Sequence, residues 1–287
     1  PGLLLCISPI ASNAQSLVTA EIFHGNDAQS TASVTTDFDN NMLCFTGFWD
    51  DLDADPGPGV LNFNSVGSQD IAITKLDPSG NLIWSKQIGG SGFAAAQVIK
   101  TDAAGNVIIF GYFNGTMDMN PGPGTSNLVS NGGDDVYCAK YNQDGNLVWA
   151  INIGGTGTEQ SYGFDLDAAG RPIVLGYFQN TVDFDPGVGT VNMTAGFSGA
   201  NFLLRLNADG SYNNVIQMSS AYGNYLYVDN SDNIYITGLF WGTVDFDPGP
   251  AVFNLIAAGF SSDAFIVKLN SAFVFQWAGI ISGNSSE

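Results

Sequence analysis

A block of about 65 residues occurs four times in this chain, and each copy carries an Asp-rich loop closed by Pro-Gly. The loops read DLDADPGPG at 51–59, TMDMNPGPG at 116–124, TVDFDPGVG at 181–189 and TVDFDPGPA at 243–251. Pro56, Pro121, Pro186 and Pro248 lie 65, 65 and 62 residues apart. A fixed period of this kind means that each copy is one supersecondary unit whose apolar faces are covered by its neighbours. The possible folds are therefore those that stack one small unit repeatedly.

One copy shows what the unit is. Residues 97–101 read as a short strand, and Asp102 to Asn106 as a tight turn. The run 107–113 (VIIFGYF) is a second, buried strand. After the Asp loop and a short extended piece at 126–129 comes a third strand at 136–141. The Asn142-to-Asn146 turn then leads to a fourth strand at 147–151. No segment has the 3.6-residue period of an amphipathic helix. Four antiparallel strands joined by short turns, in about 65 residues, suit one blade of a β-propeller. The expected fold is all-β, with four-stranded antiparallel blades forming an incomplete arc of a larger propeller. The repeats run roughly 29–90, 93–155, 160–218 and 221–279, within a repeat region of 15–287.

The termini carry their own expectations. A short apolar run, Leu3 to Ile10, precedes Ser12-Asn13-Ala14, so residues 1–14 read as the remnant of a signal peptide cleaved before Gln15. The run is too short to span a bilayer, and Leu5 before Cys6 argues against lipid attachment there. The chain starts at Pro1, without Met, which predicts a natural start further upstream. Residues 17–25 align with 82–90 and so form a lone fourth strand. The last repeat already has its own fourth strand, and 280–287 resembles the start of a further copy. The expectation is that the natural chain continues and that the opening strand completes a final blade.

The charge is −20, from 7 basic and 27 acidic residues. Phosphate backbones and anionic membranes repel such a surface, which argues against nucleic-acid and membrane-surface partners. Four of the seven cations, Lys75, Lys140, Arg205 and Lys268, occupy one register of the third strand. That placement predicts a repeated ion pair with a turn or neighbouring-blade carboxylate. Asp70, Asp135 and Asp263 precede three of them by five residues, with Ala200 breaking the series. Trp84, Trp149 and Trp277 mark the fourth strand, where the third repeat has Asn214. Such aromatics read as core or inter-blade packing. Cys44 and Cys138 fall in apolar strands at non-equivalent positions and are expected to be buried free thiols.

The candidate site is the set of paired loop acids: Asp53/Asp55, Asp118/Asn120, Asp183/Asp185 and Asp245/Asp247. Alternate residues of an extended segment point the same way, so Asp-x-Asp offers two oxygens to one cation. Carbonyls of the following bend suit the many oxygen ligands of Ca2+. The alternative is that these acids make Asx turns that satisfy backbone amides without metal. Both readings stay open on sequence alone. If the first strand of each repeat lines the axis, these loops share one rim with the glycine-rich connectors.

The repeats also resemble the SBBP-type bacterial β-propeller family, in its secreted or cell-surface variant with GTVDFDPGPG loops. The carriers are TVDFDPGVG (181–189), TKLDPSGNLIW (74–84) and YITGLFWGTVDFDPGP (235–250). The resemblance implies a propeller and, further along the natural protein, a C-terminal sorting or anchoring domain. It implies no specific activity. The expected role is an exported, non-enzymatic structural or binding module in adhesion or surface interaction, with a protein or glycan partner and possible calcium stabilisation. Carbohydrate binding by rim aromatics such as Trp49 and Trp241 is one alternative. A glycan hydrolase or lyase using two rim carboxylates is another, but nearly every acid recurs by repeat, whereas an active site needs one unique constellation. His24 is the sole histidine.

Overall fold

The structure, a computed structural model, describes residues 23–218, 222–258 and 262–281. The signal-peptide reading, most of the lone strand and residues 282–287 lie outside them. Among the described residues every element is a strand. The first repeat holds β1 (Gln29–Thr36), β2 (Met42–Phe48), β3 (Asp51–Asp53), β4 (Asn62–Asn64), β5 (Asp70–Leu76) and β6 (Leu82–Gly90). The second holds β7 (Ala94–Thr101), β8 (Val107–Phe113), β9 (Thr116–Asp118), β10 (Asn127–Val129), β11 (Asp135–Tyr141) and β12 (Leu147–Ile153). The third holds β13 (Gln160–Leu166), β14 (Pro172–Phe178), β15 (Thr181–Asp183), β16 (Asn192–Thr194), β17 (Ala200–Leu206) and β18 (Tyr212–Met218). The fourth holds β19 (Tyr222–Val228), β20 (Ile234–Phe240), β21 (Thr243–Asp245), β22 (Asn254–Ile256), β23 (Asp263–Leu269) and β24 (Phe275–Ile281).

In each repeat the four long strands pair in meander order, for example β13-β14-β17-β18 and β19-β20-β23-β24. This is an all-β fold of four-stranded antiparallel propeller-type blades. The sequence reading missed one element. The Asp loop is the tip of a two-stranded ribbon, with Thr181–Asp183 pairing Asn192–Thr194 in the third repeat. By compactness the chain forms two units, residues 1–129 with 139–150 and residues 130–138 with 151–287. Each is described by itself.

Within the first unit, the ribbon of the second repeat docks on the end of the first blade, as Gly89 and Gly90 pair with Asp118 and Met117. This is why the connector is Gly-Gly. A side chain on Gly90 would strike the backbone of Thr116, and one on Gly89 would strike the carboxylate of Asp70. In the second unit Gly154 and Gly155 stand in the same relation to Asp135 and Thr181.

The hairpin turns are wired by one acid each. Asp37 Oδ1 accepts the amides of Asp39 and Asn41, and its Oδ2 accepts Asn41 Nδ2. Asp102, Asp167 and Asp229 repeat the pair of amide bonds. Oδ2 of this carboxylate also receives the third-strand cation: Lys75 on Asp37 at 2.8 Å and Lys140 on Asp102 at 2.8 Å. In the third repeat Asp167 holds Arg171 at 2.7 Å, with Arg205 at 3.7 Å. The expected ion pair is thus made, in three repeats, with the first-hairpin turn of the same blade. Lys268 departs from the pattern. Tyr235 donates its hydroxyl to Asp229 and places its ring 5.1 Å from the Lys268 ammonium. Cys44 and Cys138 are buried, and neither is in a disulfide.

A substitution between blades follows from the same registers. In the first unit Trp84 stands across from Lys75 and donates its indole N–H to the carbonyl of Gln143, in the turn of the next repeat. Gly145 of that turn has positive φ, and a side chain on it would crowd Trp84 and Lys86. In the second unit Asn214 stands across from Arg205, at the register that Trp84 holds in the first unit. The next turn then carries Phe273 at the glycine position, with φ 64° and 3% exposure, its ring 4.4 Å from the Arg205 guanidinium carbon. A bulky residue in the left-handed region is strained by about 1–2 kcal/mol. Burying the ring outweighs that, since emptying a phenylalanine site costs about 3–5 kcal/mol.

Phe273→Gly is therefore expected to destabilise by about 1–4 kcal/mol, the cavity cost less the relieved strain. Asn214→Trp should clash in the wild type and recover stability in the Phe273→Gly background. Urea unfolding of the two singles and the double, as a double-mutant cycle, checks this; additive effects would refute the exchange.

Candidate functional site

Each Asp loop is anchored by the residue between its two acids. Ala54, Met119, Phe184 and Phe246 are all buried. Phe184 makes edge contact with Phe178 and a tilted contact with Phe202 at 4.9 Å; Phe246 repeats this with Phe240 and Phe265 at 4.7 Å. Because side chains alternate along an extended segment, anchoring the middle residue sends both acids to the half-exposed side.

Those acids are spent first on their own backbone. Asp53 Oδ1 accepts the amides of Asp55 at 3.2 Å and Leu61 at 2.9 Å, tying the two ends of the loop. Asp118, Asp183 and Asp245 make the same pair of bonds, the longer-range ones to Ser126, Val191 and Phe253, each at 2.8 Å. The second position makes an Asx turn over Pro-Gly. Asp55, Asn120, Asp185 and Asp247 accept the amides of Gly57, Gly122, Gly187 and Gly249 through Oδ1. Asn120 does this as well as aspartate does, since only an acceptor is required. The carboxylate Oδ2 atoms take no part in these bonds. Among the described residues no group of three or more His, Cys, Asp or Glu is arranged to hold a metal ion. Trp241, a candidate glycan-binding aromatic, is 49% exposed and lies two residues before the ribbon of the fourth repeat. His24 contributes a backbone carbonyl, which accepts the Asp53 amide.

A second, buried set of acids lies at the connectors. Asp70 accepts the amide of Val66 and Gln87 Nε2, and Asp135 accepts the amide of Asn131 and Asn152 Nδ2. Burial raises both above the ordinary carboxylate range, against those hydrogen bonds. Glu159, which sequence reasoning passed over because it does not recur, is fully buried. Its oxygens accept the amides of Gly155 and Gln179. Burial, with Asp135 and Asp134 nearby, pushes its pKa from 4.5 to about 7. Asp37, Asp102 and Asp229 move the other way. Asp229 is drawn down to about 2, chiefly by the side-chain amide of Asn233.

Comparison with known proteins adds little beyond the fold. No protein-family model matches the chain. An uncharacterized WD repeat-containing protein of Acanthamoeba polyphaga mimivirus is 33% identical over 116 residues, 37% of this chain and 8% of that protein. The chain thus matches a small part of that relative's length. A crystal structure of a protein of unknown function from Bacteroides caccae is 12% identical, with a TM-score of 0.38, over 75% of this chain and 69% of that one.

The acids set a pH profile. Glu159 has a raised folded pKa, so the folded state holds its proton longer than the unfolded state does. Stability is expected to be full below about pH 4.5 and to fall as pH rises through about 7. Asp70 and Asp135 add to the same slope. Asp229, lowered to about 2, opposes it only in acid. Calorimetry from pH 4.5 to 8 should show a falling midpoint, and Glu159→Gln should flatten that fall. A midpoint that rises to pH 8 would contradict the burial argument.

Proposed function

We propose that this chain is an exported module that works by binding or scaffolding rather than catalysis, within a cell-surface or secreted protein. The observation that carries this reading is how the polar groups are used. Turn acids and loop acids recur by repeat, and they close the chain's own turns and ribbons. Catalysis needs acids held apart from such duty in one unique arrangement. Glu159, an acid that does not recur, is enclosed and bonded to backbone amides, and so is a poor catalyst for an external substrate. The net charge of −20 supports the same reading, since it suits solubility and divalent-cation-rich surroundings.

Calcium is the ligand we assign to the loop acids. With Oδ1 of Asp183 and Asp185 held by amides, their Oδ2 atoms remain to add oxygens for a cation that takes six to eight. Occupation would stiffen the rim without altering the core. A thermal melt in millimolar calcium is expected to lie several degrees above one in EDTA, with Asp183→Ala plus Asp185→Ala reducing the difference. Superimposable melts would leave the loops as turns alone. A second reading, glycan binding, draws on the half-exposed indole of Trp241 beside the fourth ribbon. Glycan-array binding lost on Trp241→Ala would support it.

A further inference from the structure

One recurring residue has no duty within its own repeat. Asn62, Asn127, Asn192 and Asn254 each open the returning arm of a ribbon, and all four are exposed. Each stands directly opposite the first acid of its loop: Asp53, Asp118, Asp183 or Asp245. Among the described residues none of these four Asn side chains has a hydrogen-bond partner. Asparagines of the hairpin turns do have one. Asn41, Asn106 and Asn233 bond to turn acids, and Asn142 and Asn270 accept turn amides. Asparagine is also disfavoured in strands, so neither propensity nor internal bonding keeps it on the ribbon.

Simple copying of the repeat does not keep it either. The positions two before and two after it are exposed as well, and they change freely. The earlier one reads Val60, Thr125, Thr190 and Val252, and the later one Asn64, Val129, Thr194 and Ile256. Across from the later position stand Asp51, Thr116, Thr181 and Thr243. On this face only the Asp–Asn pair is the same in all four repeats.

The chemistry of the pair narrows what it can hold. Residues directly opposite in an antiparallel ribbon share a face, with Cβ atoms about 5 Å apart. Oδ1 of the acid is fixed by two amides, from both ends of the loop. Its Oδ2 remains as an acceptor, beside an Asn that offers one acceptor and one NH2 donor. A hydroxyl both donates and accepts, so two neighbouring hydroxyls of one sugar ring satisfy the pair together. The spare atom of the second loop position is not common to the repeats. Asp55 and Asp185 direct Oδ2 at Gly59 and Gly189, whereas Asn120 directs Nδ2 at Gly124, since its Oδ1 takes the Gly122 amide. What all four repeats share is therefore a mixed set of donors and acceptors, not the all-oxygen set that calcium needs.

We propose that the outward face of each ribbon is a subsite for a neutral glycan, held through two adjacent hydroxyls by the Asp carboxylate and the Asn amide. Acidic glycans are repelled by the net charge of −20 and by the carboxylate at each subsite. Each unit carries two such ribbons, at 51–64 and 116–129 in the first and at 181–194 and 243–256 in the second. One exposed pair binds weakly, but several pairs on one polymer bind as a set. The inference rests on the glycan reading above and places it on the ribbons instead of on Trp241.

Affinity electrophoresis of the polypeptide in EDTA tests this, through gels holding mannan, xylan, laminarin or galactan, with polygalacturonate as the acidic control. Retardation relative to a polymer-free gel is expected for at least one neutral polymer and not for the acidic one. Asn62→Val, Asn127→Val, Asn192→Val and Asn254→Val together should weaken it about tenfold or more, through loss of every subsite. Their melting midpoint should be unchanged or raised, since valine suits a strand. The same four positions changed Asn→Asp lose the donor and keep an acceptor. They should weaken retardation as much, whereas a bound cation would be held more tightly, and they keep the test decisive if the valines aggregate. Retardation that survives both sets overturns the proposal, as does retardation that appears only with calcium. If Trp241→Ala abolishes retardation and the Asn changes do not, glycan binding stands and the ribbon subsites fall. No retardation by any of the four polymers removes the glycan reading and this inference with it.

Discussion

A carboxylate that bonds to amides two and four residues ahead of it is the interaction on which this fold rests. In an all-β chain with many tight turns, each turn exposes amides that no ladder satisfies. Asp37, Asp102, Asp167 and Asp229 meet that need at one hairpin, and Asp77 does so at another. Asn142 and Asn270 serve in the same way without charge. In Asp37, Asp102 and Asp167 the second oxygen also takes the third-strand cation. Much of the acidity of the chain is therefore structural, set by its number of turns.

Covering of sheet faces is the second constraint. A sheet with two apolar faces needs a neighbour on each, and the connectors show how close those neighbours come. Gly89 and Gly154 leave room for a buried acid, and Gly90 and Gly155 for the backbone of the next ribbon. The ribbon in turn is held by its middle residue in the core and by its first acid at the neck. Loop, connector and buried acid thus form one joint between successive repeats.

How much of this was legible depended on recurrence and on length. Lys75, Lys140 and Arg205 stood out because they recur at one register, and their partners proved to be recurring turn acids. The long strands showed themselves as apolar runs between Asp/Gly turns. Three-residue strands such as Thr181–Asp183 are too short to show a period, so of the ribbon in the second repeat only the later arm, 126–129, is legible as an extended piece and the pairing is not. Two acids around Pro-Gly could be seen in sequence, but not which oxygen an amide would take. Glu159 was missed because a residue that occurs once leaves no trace in an alignment of repeats. Lys268 kept its register yet changed its partner, because Tyr235 replaced an aliphatic residue on the neighbouring strand.

The exchange of tryptophan for phenylalanine between the third and fourth repeats bears on ancestry. Repeat arrays grow and shrink by unequal recombination, which treats the copies as interchangeable cassettes. Asn214 and Phe273 belong to different cassettes yet both lie against Arg205. A crossover that separated them would leave either a void or a collision. The pair is thus inherited together, and this junction resists shuffling in a way that a junction of Trp84 with Gly145 does not.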